Sequence, residues 1–142
     1  MIGIASDHGG YELKQKVLES LNDYNIKDYG TYSIDPVDYP DYALKVCNDI
    51  KNGSLDKGIL ICTTGIGMSI AANKVEGIRC AKVDNINEAK MTRLHNDANV
   101  IALSASNEHA IEIIKTFLNT DFSNEERHIR RINKIKDIEN DN

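Results

Sequence analysis

With 142 residues, the chain suits one compact α/β domain over residues 1–142 and leaves little room for a second. Hydrophobic residues at 41% and charged residues at 27% exclude a disordered composition, and a net charge of −5 argues against a broad basic surface for nucleic acid. The longest apolar runs, such as Gly58–Cys62, are a handful of residues where a membrane span needs about 20, so no bilayer crossing is expected.

In chain order, Met1–Ser6 reads as a first strand, closed by Asp7-His8-Gly9-Gly10. The opening MIGIASDHGG has no basic region before an apolar stretch and does not read as a signal peptide. Tyr11–Tyr24 reads as a helix with Leu13, Val17, Leu18 and Leu21 on one face. Ile26–Tyr29 is a second strand. Asp41–Asn52 is a helix with Ala43, Val46, Cys47 and Ile50 inward, Pro40 suited to its first turn and Gly53 to its end. Lys57–Cys62 is the clearest buried strand. A glycine loop and a short helix follow it to about Asn73. Ile78–Val83 is a fourth strand, Ile86–Asn96 a helix, Asn99–Leu103 a fifth strand and Asn107–Asn119 a helix. A final helix, about 123–140, starts near Ser123, where Ser123 and Glu126 have capping-box spacing. Strands alternating with helices predict a Rossmann-like three-layer α/β/α sandwich on a five-stranded parallel sheet. Ligands of such sheets bind at the carboxyl ends of the strands, so Asp7–Gly10, Thr63–Gly67 and the Asp84 region should share one edge.

The chemistry-bearing residues each allow two readings. Cys62 ends the third strand beside a glycine loop and a helix start, where a thiolate is favoured as base or nucleophile; free cysteines are also common small core residues. In Cys62-Thr63-Thr64-Gly65-Ile66-Gly67-Met68-Ser69 the glycines permit close backbone approach to an anion. Only Gly65-x-Gly67 is present, with Ile70 where a third glycine would stand, so a dinucleotide site is disfavoured. Asp7 and His8 can orient hydroxyls and exchange protons, or simply form a turn that caps the next helix. His95, at a helix end, is a general-acid candidate or a dipole-favoured cation. Arg127 and Arg131 are four apart on one face with Arg130 and Lys134 nearby. They suit bidentate phosphate binding or a solvated face. Tyr39 lines a pocket or packs; His109 and His128 read as surface or helix residues. Cys47, Cys62 and Cys80 make an odd count with no CxxC pair. This points to a reducing cytoplasm and away from a thiolate metal site.

Taken together, the motifs resemble one family almost end to end: ribose-5-phosphate isomerase B and its galactose-6-phosphate isomerase relatives. The matching segments are Asp7-His8-Gly9, Gly30-Thr31-Tyr32, Val37-Asp38-Tyr39-Pro40, Gly58–Gly67, Ala71-Ala72-Asn73-Lys74, Gly77-Ile78-Arg79, Arg93-x-His95-Asn96-x-x-Asn99-Val100 and Arg127-His128-x-x-Arg131. Two positions depart from the pattern: Thr63 stands where the family usually has glycine, and Ser106 where relatives often carry a phosphate-holding arginine.

The resemblance implies a cofactor-free, metal-free aldose–ketose isomerase acting on a phosphorylated pentose, with allose or galactose 6-phosphate as alternatives. It implies a homodimer, with a paired tetramer as a further option, whose sites are shared between subunits. Asp7, His8, Tyr39, Cys62, Thr64, Gly65, Gly67 and Ser69 would come from one chain, and His95, Asn96, Arg127 and Arg131 from its partner. In that scheme His95 opens the ring with Thr64 or Asp7 assisting, Cys62 takes the C2 proton, and loop N–H groups stabilise the enediolate. From a different class, a non-catalytic phosphate- or nucleotide-binding flavodoxin-like module would use the glycine loop and arginines but not Cys62.

Overall fold

The computed structural model describes residues 1–140. Five strands form one parallel sheet: β1 (Ile2–Ser6), β2 (Ile26–Asp28), β3 (Lys57–Cys62), β4 (Cys80–Lys82) and β5 (Val100–Ser104), in the order β2-β1-β3-β5-β4. Six helices surround it: α1 (Tyr11–Ser20), α2 (Tyr39–Lys51), α3 (Ile66–Ala72), α4 (Ile86–Asn96), α5 (Ala110–Asn119) and α6 (Glu126–Asn140). The three-layer α/β/α architecture is the one the alternating pattern predicts.

Side-chain alternation along the strands builds two cores. Ile4, Ile59, Ile61, Ile101 and Leu103 face one side, against Val17 of α1, Ala89 of α4 and Ile113, Ile114 and Phe117 of α5. Ala5, Leu60, Cys62, Val100 and Ala102 face the other, against Ala43, Val46 and Cys47 of α2 and Met68 and Ala72 of α3. The same alternation therefore sends the Cys62 thiol toward α2 and α3. Strand order reverses between β1 and β3: β2 lies on one side of β1, and the chain returns to add β3 on the other. That reversal opens a crevice beyond the carboxyl ends of β1 and β3, where open α/β sheets bind ligands.

Several element ends differ from expectation for identifiable local reasons. The first helix stops at Ser20 rather than Tyr24, because Leu21-Asn22-Asp23 form a turn in which the Tyr24 N–H donates to the Leu21 carbonyl. The second strand ends at Asp28, one residue early. The second helix begins at Tyr39, two residues early. The fourth strand is cut to Cys80–Lys82, since the Asn99 side chain takes the Arg79 N–H and the Asn73 amide pairs with both backbone groups of Cys80. The fifth helix starts at Ala110 because the Asn107 side chain accepts the His109 N–H in an Asx-type turn. The Ser123–Glu126 capping box does not form. The Ser123 hydroxyl accepts from the Glu125 N–H at 3.4 Å, Asn124 takes a positive φ of 59°, and the helix begins at Glu126.

Nothing in the sequence pattern singled out Lys14, whose residue is fully buried. Its ammonium donates to both Asp28 carboxylate oxygens at 2.8 Å and lies 5.3 Å and 5.6 Å from the ring centres of Tyr11 and Tyr32. Asp28 also accepts the Gly30 N–H, so the pair ties α1 to the loop after β2. Breaking one half of such a pair strands a buried charge. Asp28→Ala should therefore lower unfolding free energy by roughly 3 kcal/mol, whereas Lys14→Met with Asp28→Leu should recover most of the loss. Urea denaturation at one fixed protein concentration measures both.

Candidate active site

The crevice is built from three segments. β1 ends in Ser6 and turns at Asp7, whose N–H donates to the Ile61 carbonyl at 3.2 Å. The Asp7 Oδ1 accepts the Gly10 N–H at 2.9 Å, so the buried carboxylate closes the turn before α1. It thus makes the capping contact and sits at the crevice at the same time. His8 follows at the rim and accepts the Val37 N–H on Nδ1 at 3.1 Å. That bond leaves Nε2 to carry the imidazole proton and act as a donor. Gly9 lies so close to the third strand's loop that a Cβ there would be 2.4 Å from the Thr63 hydroxyl.

β3 supplies the second segment. The Cys62 sulfur receives the Gly65 N–H at 3.2 Å. Gly65 has φ +80°, and a Cβ on it would approach the Leu103 carbonyl carbon at 2.9 Å, so only glycine holds this turn against β5. Thr64 is exposed, and its hydroxyl accepts the Ile66 N–H at the start of α3. Tyr39, at the head of α2, completes the cup: a Cβ on Gly67 would lie 2.6 Å from its ring. Ser69 lies a turn into α3, where its side chain bears on the Cys80 thiol.

An open cleft of about 650 Å³ continues past Thr63 and Thr64 to Ser104, Ser106 and Asp84, so the three loops expected to share an edge do share it. Lys82 is ion-paired with Asp84 on the far wall.

The three thiols are chemically distinct. Burial pushes Cys47 up to about 12, and burial followed by the neighbouring Cys47 raises Cys80 as well. Both pack in the core on the α2–α3 side. Only Cys62 ends a strand in the crevice with a backbone donor on its sulfur.

His95 and Asn96 lie elsewhere. α4 begins near the carboxyl edge of the sheet and runs back for 11 residues, about 16 Å, so its last turn sits at the amino edge. There the Asn96 carbonyl accepts from Arg79, and the nearby Asn99 carbonyl accepts the Gly58 N–H at the start of β3. The His95 ring stacks on His128 of α6 at 4.4 Å between centroids. Arg127 and Arg131, both exposed, lie on the same helix close enough to His128 to bear on its charge. One chain thus carries two groups of candidate residues on opposite edges: a thiol cup at the carboxyl edge and a histidine–arginine cluster at the amino edge.

His128 lies in α6, one of its two expected placements, and is buried rather than at the surface. Glu125 lies 3.3 Å from its Nε2 but outside hydrogen-bonding geometry. Burial first, then His95, Arg127 and Arg131, lower its pKa from the ordinary 6.5, with Glu125 opposing. A lowered histidine pKa means the unfolded chain binds the proton more readily. The stabilisation is complete above the unfolded value and is lost as pH falls below it and through the folded value. Thermal melting should therefore show a drop in Tm from about pH 7.5 to about pH 5.5 that is smaller in His128→Phe. Sequence periodicity offered no signal for this burial: along the helix Ile129 is exposed while His128 and Ile132 are covered.

A family model described as Ribose/Galactose Isomerase matches residues 2–135. A ribose-5-P isomerase B of Listeria innocua is 42% identical, covering 86% of each chain. The solved ribose-5-phosphate isomerase B of Clostridium thermocellum superposes with a TM-score of 0.94 at 47% identity, over 99% of this chain and 97% of that one. The Mycoplasma genitalium ribose-5-phosphate isomerase B, solved with bound ribulose-5-phosphate, gives 0.91 at 41% identity, over 99% and 97%.

Proposed function

This chain belongs to the ribose/galactose isomerase family, and from that premise we propose that it interconverts ribose 5-phosphate and ribulose 5-phosphate through an enediolate with Cys62 as the base. It is a sugar-phosphate isomerase. The observation that carries the mechanism is the Gly65 N–H on the Cys62 sulfur at 3.2 Å, within a cup shared by His8 and Tyr39 at the strand-order reversal. The N–H donor holds the sulfur in place, and the glycines let a sugar carbon approach it.

The sugar arrives mainly as a closed ring. His95, supplied by the partner subunit in this reading, protonates the ring oxygen while the proton of the anomeric hydroxyl is removed, with Thr64 or Asp7 assisting. Cys62 then takes the C2 proton of the open aldehyde, and the electron pair moves onto the carbonyl oxygen to form the enediolate. N–H groups of the Thr64–Ser69 loop other than those of Gly65, Ile66 and Ser69, which are already engaged, stabilise that charge. Return of the proton to C1, with the O2 hydroxyl proton passing to O1, gives the ketose. Asn96, Arg127 and Arg131 of the partner hold the hydroxyls and phosphate, and His8 adds its Nε2 donor.

The opposite placement of the two clusters supports a shared site in a two-fold dimer, in which each thiol cup takes its cations from the partner's cluster. With its three cysteines unpaired, the protein belongs in a reducing cytoplasm. No described helix is long and apolar enough to cross a membrane. Interconversion of the two pentose phosphates by purified protein without added cofactor tests the activity. A comparison of kcat/KM with allose and galactose 6-phosphates tests the sugar. No interconversion of any of these would leave the binding-module reading.

A further inference from the structure

Proton transfer by Cys62 depends on where one sulfur sits, and the segment after β5 sets that position. Cys62 lies beside Ser104 in the sheet. The Ala105 N–H donates to the Cys62 carbonyl at 2.9 Å. One residue on, the Ser104 hydroxyl donates to the Thr63 carbonyl, also at 2.9 Å. Gly65 is pressed against the Leu103 carbonyl, and the turn so clamped brings its N–H onto the sulfur. Of these contacts, the Ser104 hydroxyl is the one made by a polar side chain of β5.

Its orientation is fixed from behind. Ser104 Oγ lies 2.9 Å from Ser106 Oγ and accepts the Ser106 N–H at 3.3 Å. Since its own proton is engaged by Thr63, the Ser106 hydroxyl is the donor in that pair. The relay therefore runs Ser106 to Ser104 to the Thr63 carbonyl, and ends one peptide away from the base.

We propose that Ser104 is a positioning residue for the isomerisation, holding the Thr63 peptide so that the Gly65 N–H stays on the Cys62 sulfur. Ser104 does not touch the sugar in this scheme. Without its hydroxyl the Thr63–Thr64 peptide is free to rotate, the N–H leaves the sulfur, and the thiolate loses both its donor and its aim. Binding of the phosphate, which lies with other groups, is left in place. The proposal rests on Cys62 being the base.

The test uses full-length Ser104→Ala and Ser104→Thr, with steady-state kinetics on ribose 5-phosphate and alkylation of Cys62 by iodoacetamide followed by peptide mass spectrometry. Ser104→Ala should lose about 10-fold in kcat, as small misplacements of a reacting group do, with KM within about twofold. Alkylation of Cys62 should slow by about threefold, because the thiolate is the reactive form. Ser104→Thr, which keeps the hydroxyl, should restore kcat to within about threefold of wild type. Wild-type kcat and alkylation in Ser104→Ala would overturn the proposal. So would a Ser104→Thr enzyme no better than Ser104→Ala, or a kcat loss matched by an equal loss of melting temperature. Cys62→Ala separates the levels: if that variant still turns over, the cysteine-base reading fails whatever Ser104 does.

Discussion

Cys62→Ala should lose at least about 10²-fold, and up to about 10⁴-fold, in turnover of ribose 5-phosphate, the range that a positioned general base contributes. Binding of a phosphorylated sugar-acid analogue, measured by calorimetry, should persist, because the thiol is assigned to proton transfer and not to the phosphate. Asp7, the carboxylate in the turn after β1, offers little substitute, since its Oδ1 is already tied to the Gly10 N–H. Cys47→Ala and Cys80→Ala supply the contrast. Burial raises both thiols, which makes them poor bases at neutral pH, and both serve as packing against α2 and α3. Each should keep most of the turnover. Near-wild-type turnover in Cys62→Ala would remove the cysteine from the mechanism.

The layered fold was legible because its signals are periodic. Lys57–Cys62 reads as a buried strand from five consecutive small or apolar residues, and the structure gives the same bounds. Ile86–Asn96 is likewise matched at both ends, helped by the Asn85 side chain, which accepts the Glu88 N–H. Ends set by side chains reaching to the backbone were not legible. Asn73, Asn99 and Asn107 each redirect a backbone group that strand or helix periodicity would assign to the ladder. The loops of the thiol cup were placed on one edge from the alternation rule alone. What brings Ser104 beside Cys62 is different: β5 inserts between β3 and β4, and strand order is a tertiary property that local pattern does not encode. Burial of Lys14 and His128 was hidden for a related reason, since each is covered by partners from distant segments: Asp28 and Tyr32 in one case, His95 in the other.

The separation of the thiol cup from the histidine–arginine cluster leads to the most demanding expectation. Cys62 ends β3 at the carboxyl edge, whereas Arg131 lies in α6, whose neighbour His128 stacks on His95 at the amino edge. Along α6 the isoleucines at 129, 132, 135 and 138 step around the helix by about 60° each. Only Ile132 is buried in the chain's own fold, while Ile129, Ile135 and Ile138 are exposed, as suits a helix that meets a second surface. If that surface belongs to a second copy, Cys62→Ala and Arg131→Ala chains are each inactive alone but complement one another. Unfolded and refolded together, half the dimers are mixed. Each mixed dimer has one site lacking both groups and one site with both intact, so about a quarter of wild-type activity should return. Mass spectrometry of intact dimers shows that exchange has occurred. Activity that stays at the level of the separate variants after proven exchange would mean that Cys62 and Arg131 serve one chain. The two edges would then have to be reconciled by a rearrangement of α6 rather than by a partner.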